Sequence, residues 1–218
     1  MRNNYGALVG TIVGNIEYNH TCHMENFYLF NLAIFRTSGT QDVVPVIISE
    51  RLMHLSNISV GARLYIEGSV RTLSIHTESG KNRLLVYFFA ETVFDNGGAH
   101  ASKSYFINPN EDFNNIYLHG TICNEVVYRE TPRGRQISDL LLAVNRTHYG
   151  KSDYIPVIAW SRNALHLSNL SVGDKISVSG RFQSRTHQKK NPDGSFEERT
   201  VYEVSVYNIE GTERNEKD

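Results

Sequence analysis

The chain has 218 residues, 40% of them hydrophobic, which is enough for two small globular domains that each bury a core. A formal net charge of -1 supplies no global field for attracting a polyanion, so any nucleic-acid affinity must come from local patches. There is no apolar run of about 18 residues and no apolar signal segment after Met1, so neither membrane insertion nor export is expected. The two cysteines, Cys22 and Cys123, lack a CxxC partner and read as reduced structural thiols of a cytoplasmic protein.

Taken in order, the chain says nearly the same thing twice. Leu8, Gly10, Thr11 and Ile12 return as Leu118, Gly120, Thr121 and Ile122, and Arg36-Thr37 as Arg146-Thr147. Pro45 returns as Pro156, MHLSNISVG (Met53–Gly61) as LHLSNLSVG (Leu165–Gly173), and Gly68 as Gly180. The offset grows from 110 residues at Leu8 and Leu118 to 116 at Arg83 and Arg199, as small loop insertions would make it. A period this long means two tandem domains rather than a solenoid. The expected division is residues 1–95 and 116–210, with a linker at 96–115 and a polar tail at 211–218. Tyr105, Phe106, Ile107 and Phe113 suggest that part of the linker docks on a domain.

In the first repeat, His20-Thr21-Cys22-His23 is the densest set of metal-type ligands. It lacks a second ligand pair, so it reads as a loop segment, and no metal or other cofactor is expected. In the second repeat the hydrophobic period is two. Strands are predicted at Ile116–Ile122, Ile137–Val144, Tyr154–Trp160, around Lys175–Arg185, and at Thr200–Tyr207. Ile155, Val157 and Ala159 share one face of the third strand; Tyr154, Pro156, Ile158 and Trp160 share the other. A short helix from Ser161 to Ser168, with Ser161 as N-cap, follows it. Five strands with one helix between the third and fourth give an all-β chain of two tandem OB-folds, which are five-stranded Greek-key barrels. No nucleophile motif, phosphate-binding glycine loop or metal-hydrolase signature is present, so no enzyme is predicted.

Leu142-Ala143-Val144-Asn145-Arg146, Asp153-Tyr154, Val157–Trp160, Gly173, Ser179-Gly180-Arg181, Ser184-Arg185 and Glu203-Val204 follow one another in an order and spacing that resemble the bacterial single-stranded DNA-binding proteins. The first repeat is a more divergent copy, similar through Leu32-Ala33, Arg36-Thr37, Asp42, Gly61 and Gly68. The resemblance implies sequence-independent binding of single-stranded DNA in replication, recombination or repair. It places stacking aromatics at Tyr154 and Trp160, with Tyr149 near a third position (His148 aligns better) and His187 at the mouth of the last hairpin. Aromatics on strands are as often core as ligand platforms, but these have cationic company. Arg181 and Arg185 project from the next strand, Arg146 adds a cation, and Lys189, Lys190 and Phe196 flank the Asn191–Gly194 turn. Arg133 and Arg135 form a second basic turn, and both turns are loops that OB-folds use to grip a strand.

The first repeat carries Val43, Ser49 and Ile75 at the places of Tyr154, Trp160 and His187, and Glu67, Ser69 and Leu73 at those of Ser179, Arg181 and Arg185. Residues 5–95 hold six Lys+Arg against eight Asp+Glu, and residues 116–210 hold twelve against ten. The second repeat is therefore the expected binding domain, while the first assists weakly or serves assembly. Arg71, Lys81, Arg83, Tyr65 and Phe35 are its candidate contacts. The family works with four OB-folds, which implies a homodimer here. Val43, Ile47, Leu73 and Ile75 would supply an interface, or else would meet the linker or the sister domain. No acidic tip ends the chain, so recruitment of other enzymes through one is not expected. The alternatives are an OB-fold accessory subunit of a replication or mobile-element complex with weak DNA affinity, and an RNA-binding protein.

Overall fold

In the computed structural model the chain is described over residues 2–55, 58–76, 80, 82–95, 111–146, 150–190 and 194–215. The first repeat comprises β1 (Asn4–Cys22), β2 (Glu25–Phe35), β3 (Gln41–Ser49), α1 (Glu50–Leu55), β4 (Arg63–His76) and β5 (Asn82–Asp95). The second comprises β6 (Phe113–Ile122), β7 (Val127–Glu130), β8 (Gln136–Asn145), β9 (Ser152–Trp160), α2 (Ser161–Leu167), β10 (Lys175–Lys190) and β11 (Phe196–Glu213).

Each repeat closes into a five-stranded barrel with one helix after its third strand, the OB-fold arrangement. The first runs β1–β2–β3–β5–β4 and back to β1, and the second runs β6–β8–β9–β11–β10 and back to β6. In each, the only parallel pairing among the described residues is between the third and fifth barrel strands, β3–β5 and β9–β11. Alternating apolar residues fill the interiors: Leu8, Ile12, Phe30, Val46, Ile66 and Phe88 in one barrel, Leu118, Leu142, Val157, Val178, Phe182 and Val204 in the other. No helix among the described residues is long and apolar enough to cross a membrane.

The repeated sequence marks repeated close packing. A Cβ on Gly10 would lie 2.5 Å from the Ala33 carbonyl oxygen, and one on Gly120 the same 2.5 Å from that of Ala143. Gly68 and Gly180 each sit at a register shift, with the carbonyls of Phe89 and Ser205 at 2.0 and 2.4 Å from such a Cβ. The last glycine of the nonapeptide recurs in both copies for a backbone reason. Gly61 (φ 85°) and Gly173 (φ 99°) turn left-handed and donate their N–H groups to Ile12 and Ile122 at 2.9 Å.

Beside Gly173, the Asp174 carboxylate accepts the N–H groups of Ser171 and Asn215, both at 2.8 Å, tying the end of β11 to the turn before β10. Those two bonds, Ser171 first, hold its pKa below the usual value. The stability they provide is present above the unfolded carboxylate pKa and is lost as pH falls through the lower folded value. Asp174→Asn is expected to cost about 1 kcal/mol at neutral pH, with the gap to the parent closing below about pH 4 in melts run across the acid range.

Four local expectations are corrected. β6 begins at Phe113 because this end pairs with β1, and Phe113 packs on Ala7, Val9 and Tyr65. The N-cap of α2 is Trp160 (φ −126°, ψ 148°), while Ser161 turns left-handed at φ 51°. His20 and Cys22 belong to a β-strand, turning at His23 and Met24 into β2, so Cys22 is an exposed thiol and not a structural one. Cys123 does fit that reading: its Sγ donates to the Leu141 carbonyl and burial pushes its pKa up. β7 was not anticipated; its four residues are all exposed, so it has no hydrophobic period. Tyr105, Phe106 and Ile107 lie outside the described residues.

The barrels join edge to edge through β1 and β6, which pair antiparallel from Asn4↔Leu118 to Val9↔Phe113. The contacts across this seam come in pairs, as an approximate two-fold axis requires. Asn4 brackets the main chain of Val70 (2.6 and 3.0 Å), and Asn114 brackets that of Phe182 (2.7 and 2.8 Å). Asp153 accepts the Thr72 N–H at 2.8 Å, and Asp42 the Ser184 N–H at 3.3 Å. In return the Thr72 hydroxyl accepts the Tyr154 N–H at 2.9 Å, and that of Ser184 the Val43 N–H at 3.1 Å. Of the four apolar residues considered for an interface, Val43 thus meets the sister barrel and Ile47 is buried, while Leu73 is exposed and Ile75 partly so.

Candidate nucleic-acid interface

The pleat of β9 decides which side chains reach the surface. Ile155, Val157 and Ala159 enter the barrel core, and Tyr154 and Trp160 stand on the outer face. Tyr154 is 48% exposed. Trp160 is half-buried and faces buried Ile137 across β8. Six residues of strand separate the two aromatics by roughly 20 Å. The bond from its N–H to Thr72 fixes Tyr154 at the seam, so the first barrel positions an aromatic of the second.

The cations divide into two kinds. Arg146 grips Asp153 through two bonds (Nε–Oδ2 2.9 Å, Nη2–Oδ1 2.6 Å) and donates to the Thr72 carbonyl at 3.2 Å. Asp153 is 1% exposed, and its hydrogen bond raises the Arg146 pKa against the opposing pull of burial. Arg36 and Asp42 form the equivalent pair in the first barrel. Arg185 is held by buried Glu203 at 3.1 and 3.2 Å. The charges of Arg146 and Arg185 are therefore largely matched within the fold. Arg181 has an enclosed Nε without a hydrogen-bond partner among the described residues, and burial, then the neighbouring Arg36, lower its pKa while Asp42 raises it.

By contrast, Arg133 and Arg135 are exposed on a tight turn closed by the Thr131 N–H to the Arg135 carbonyl (2.8 Å), with Gly134 at φ 72°. Phe196 is exposed beside the turn of the β10–β11 hairpin, and His187, on β10, has an enclosed Nδ1 without a hydrogen-bond partner among the described residues. Lys189 and Lys190 end β10, but their side chains lie outside the described residues, as does all of Tyr149. Among the described residues no three His, Cys, Asp or Glu side chains gather as a metal site.

Two features of the surface escape the sequence reading. Tyr128 and Tyr207 are also exposed on the second barrel. On the first barrel, aromatics are present despite Val43, Ser49 and Ile75: Phe27 and Phe89 stand on its outer face with ring centroids 5.9 Å apart. Of the first barrel's own candidates, Tyr65 is buried and its hydroxyl donates to Glu67, with a pKa pushed well above the usual tyrosine value by burial and then that bond. Phe35 is exposed, with its N–H on Asp112.

Residues 113–211 match the model of the single-strand binding protein family. Single-stranded DNA-binding protein A of Bacillus subtilis is 30% identical over 103 residues, 44% of this chain and 58% of the relative. Single-stranded DNA-binding protein 1 of Staphylococcus aureus is 34% identical over 83 residues, 35% of this chain and 50% of the relative. The chain thus spans only 50–58% of the length of these relatives. Over the full length, the fold is that of the wild-type single-stranded DNA-binding protein from Thermus aquaticus, with a TM-score of 0.72, 20% identity, and coverage of 100% of this chain and 97% of that one.

Proposed function

We propose, from the premise that residues 113–211 match the model of the single-strand binding protein family, that this chain binds single-stranded DNA without sequence preference and catalyses no reaction. The observation that carries the reading is the outward placement of Tyr154 and Trp160 on one strand face, 48% exposed in the case of Tyr154. Bases stack on these rings, which suits a sequence-tolerant binder because every base has a π-face. Phosphates follow the exposed turn at Arg133 and Arg135 and the basic hairpin of Lys189 and Lys190. Arg146 and Arg185 hold the surface in shape from beneath. Each barrel is one domain, the second starting with the strand at Phe113, and two chains would assemble four barrels. Exposed strands in replication, recombination or repair, at the nucleoid, are the fitting targets.

The test is a titration with oligo-dT and with a matched duplex at two salt concentrations, following the fluorescence of Trp160, the chain's only tryptophan. Salt-weakened binding to the single strand alone, with strong quenching, supports the proposal; no binding at low salt overturns it. Arg133→Ala with Arg135→Ala is expected to reduce the slope of log K against log salt by about 0.7 for each phosphate contact removed, while the quench at saturation stays.

A further inference from the structure

The aromatics of the first barrel occupy positions that its sister leaves aliphatic or small. Phe27 faces Ser49 across β2 and β3, the register in which Ile137 faces Trp160. Phe89 lies beside Ile47 in the parallel pair, where the second barrel has Ser205 beside Ile158. A serine thus stands where the second barrel has its tryptophan, and rings from the two flanking strands lean over it, 5.9 Å apart and tilted by 35°. His20 stacks on Phe27 at 4.8 Å and 7°, which shows that this ring accepts a flat partner. The Arg71 guanidinium stands 5.7 Å above Phe89, a cation–π distance.

Beside the two rings is a recess of about 270 Å³ that also meets Ser49, Leu52, Glu25 and Arg51. Glu25 Oε1 is enclosed there without a hydrogen-bond partner among the described residues, its nearest cation being Arg51 Nε at 3.7 Å. A carboxylate in that position accepts a hydrogen bond from an exocyclic amino group, as cytosine offers and thymine does not. The site is continuous with the second barrel. Arg71 reaches Asp153 at 3.9 Å, next to Tyr154, and Glu91 lines both this recess and a larger one of about 390 Å³ at the seam, where Arg2, Arg71 and Arg146 converge.

We propose that Phe27 and Phe89 form a second base-stacking site on the first barrel, which takes an amino-bearing nucleobase against Glu25 from a strand that has crossed the seam past Tyr154. This rests on the single-strand binding proposed above. The positive test is Phe27→Trp in a Trp160→Phe background, which places the only indole in the new site while keeping an aromatic in the old one. Labelled oligonucleotides of about 40 nucleotides, longer than one OB-fold spans, report binding by anisotropy while the indole reports occupancy. Quenching of that indole, stronger with oligo-dC than with oligo-dT, is the expected result, and Glu25→Gln should level the two. Tight binding by anisotropy with unchanged indole emission overturns the site, and equal quenching by the two oligonucleotides overturns the role of Glu25. No anisotropy change with the parent chain would instead sink the single-strand reading itself. In parallel, Phe27→Ala with Phe89→Ala should weaken the long oligonucleotide about tenfold, as loss of one stacked base would, and leave one of about 10 nucleotides unaffected. Equal affinities for the long oligonucleotide would count against the site.

Discussion

Replacing Asp153 with alanine is expected to lower the melting temperature by roughly 6–12 °C. The carboxylate is 1% exposed and accepts from Arg146 twice and from the Thr72 N–H at 2.8 Å. Removing one partner of a buried ion pair costs about 3–5 kcal/mol because the other charge is left uncompensated. The guanidinium of Arg146 is 26% exposed, so water relieves part of that penalty and the low end, about 3 kcal/mol, applies. At about 2–4 °C per kcal/mol for a chain of this size, the stated drop follows. Asp42→Ala should cost less, since Asp42 holds Ser184 at 3.3 Å where Asp153 holds Thr72 at 2.8 Å. Thermal unfolding of the two variants side by side checks the ranking. Equal stability of Asp153→Ala and the parent would show that the seam does not depend on this carboxylate.

Much of this was legible in the sequence, and the residues show why the rest was not. The period of two in β9 sorts Ile155, Val157 and Ala159 from Tyr154 and Trp160, because one strand's pleat is a local property. The duplication could be read because Gly10, Gly120, Gly68 and Gly180 answer to a steric demand that each barrel repeats. The fate of the cations was not local. Arg185 looks free along β10, and only the pairing with β11 brings Glu203 beside it. The Arg146–Asp153 pair did leave a trace, in the recurrence of Arg36 and Asp42 at nearly the same spacing, but it takes the seam to show that the carboxylate also serves Thr72.

The aromatics of the first barrel were missed for a related reason. Position-by-position comparison asks whether Val43, Ser49 and Ile75 are aromatic, whereas a sheet face is two-dimensional. A ring can move to the neighbouring strand and remain on the same surface, as Phe27 and Phe89 do around Ser49.

Alanine at both Tyr154 and Trp160 is expected to weaken oligo-dT binding by about 2–6 kcal/mol, since each stacked base is worth about 1–3 kcal/mol. Even the low end is about thirtyfold in Kd. The two rings stand roughly 20 Å apart on β9, too far to share a partner, so their separate losses should add. The slope of log K against log salt should not change, because Arg133 and Arg135 remain on their exposed turn and phosphate contacts alone set it. Removal of the arginines should do the reverse, flattening the slope while the stacking persists. Stability separates this loss from misfolding: both rings face outward, and the bond from residue 154 to Thr72 is made by the main chain and survives truncation. With the fluorophore gone, anisotropy of a labelled oligonucleotide gives the affinity. A Kd within about twofold of the parent, well short of the loss of even one stacked base, would remove the outer face of β9 from the binding surface.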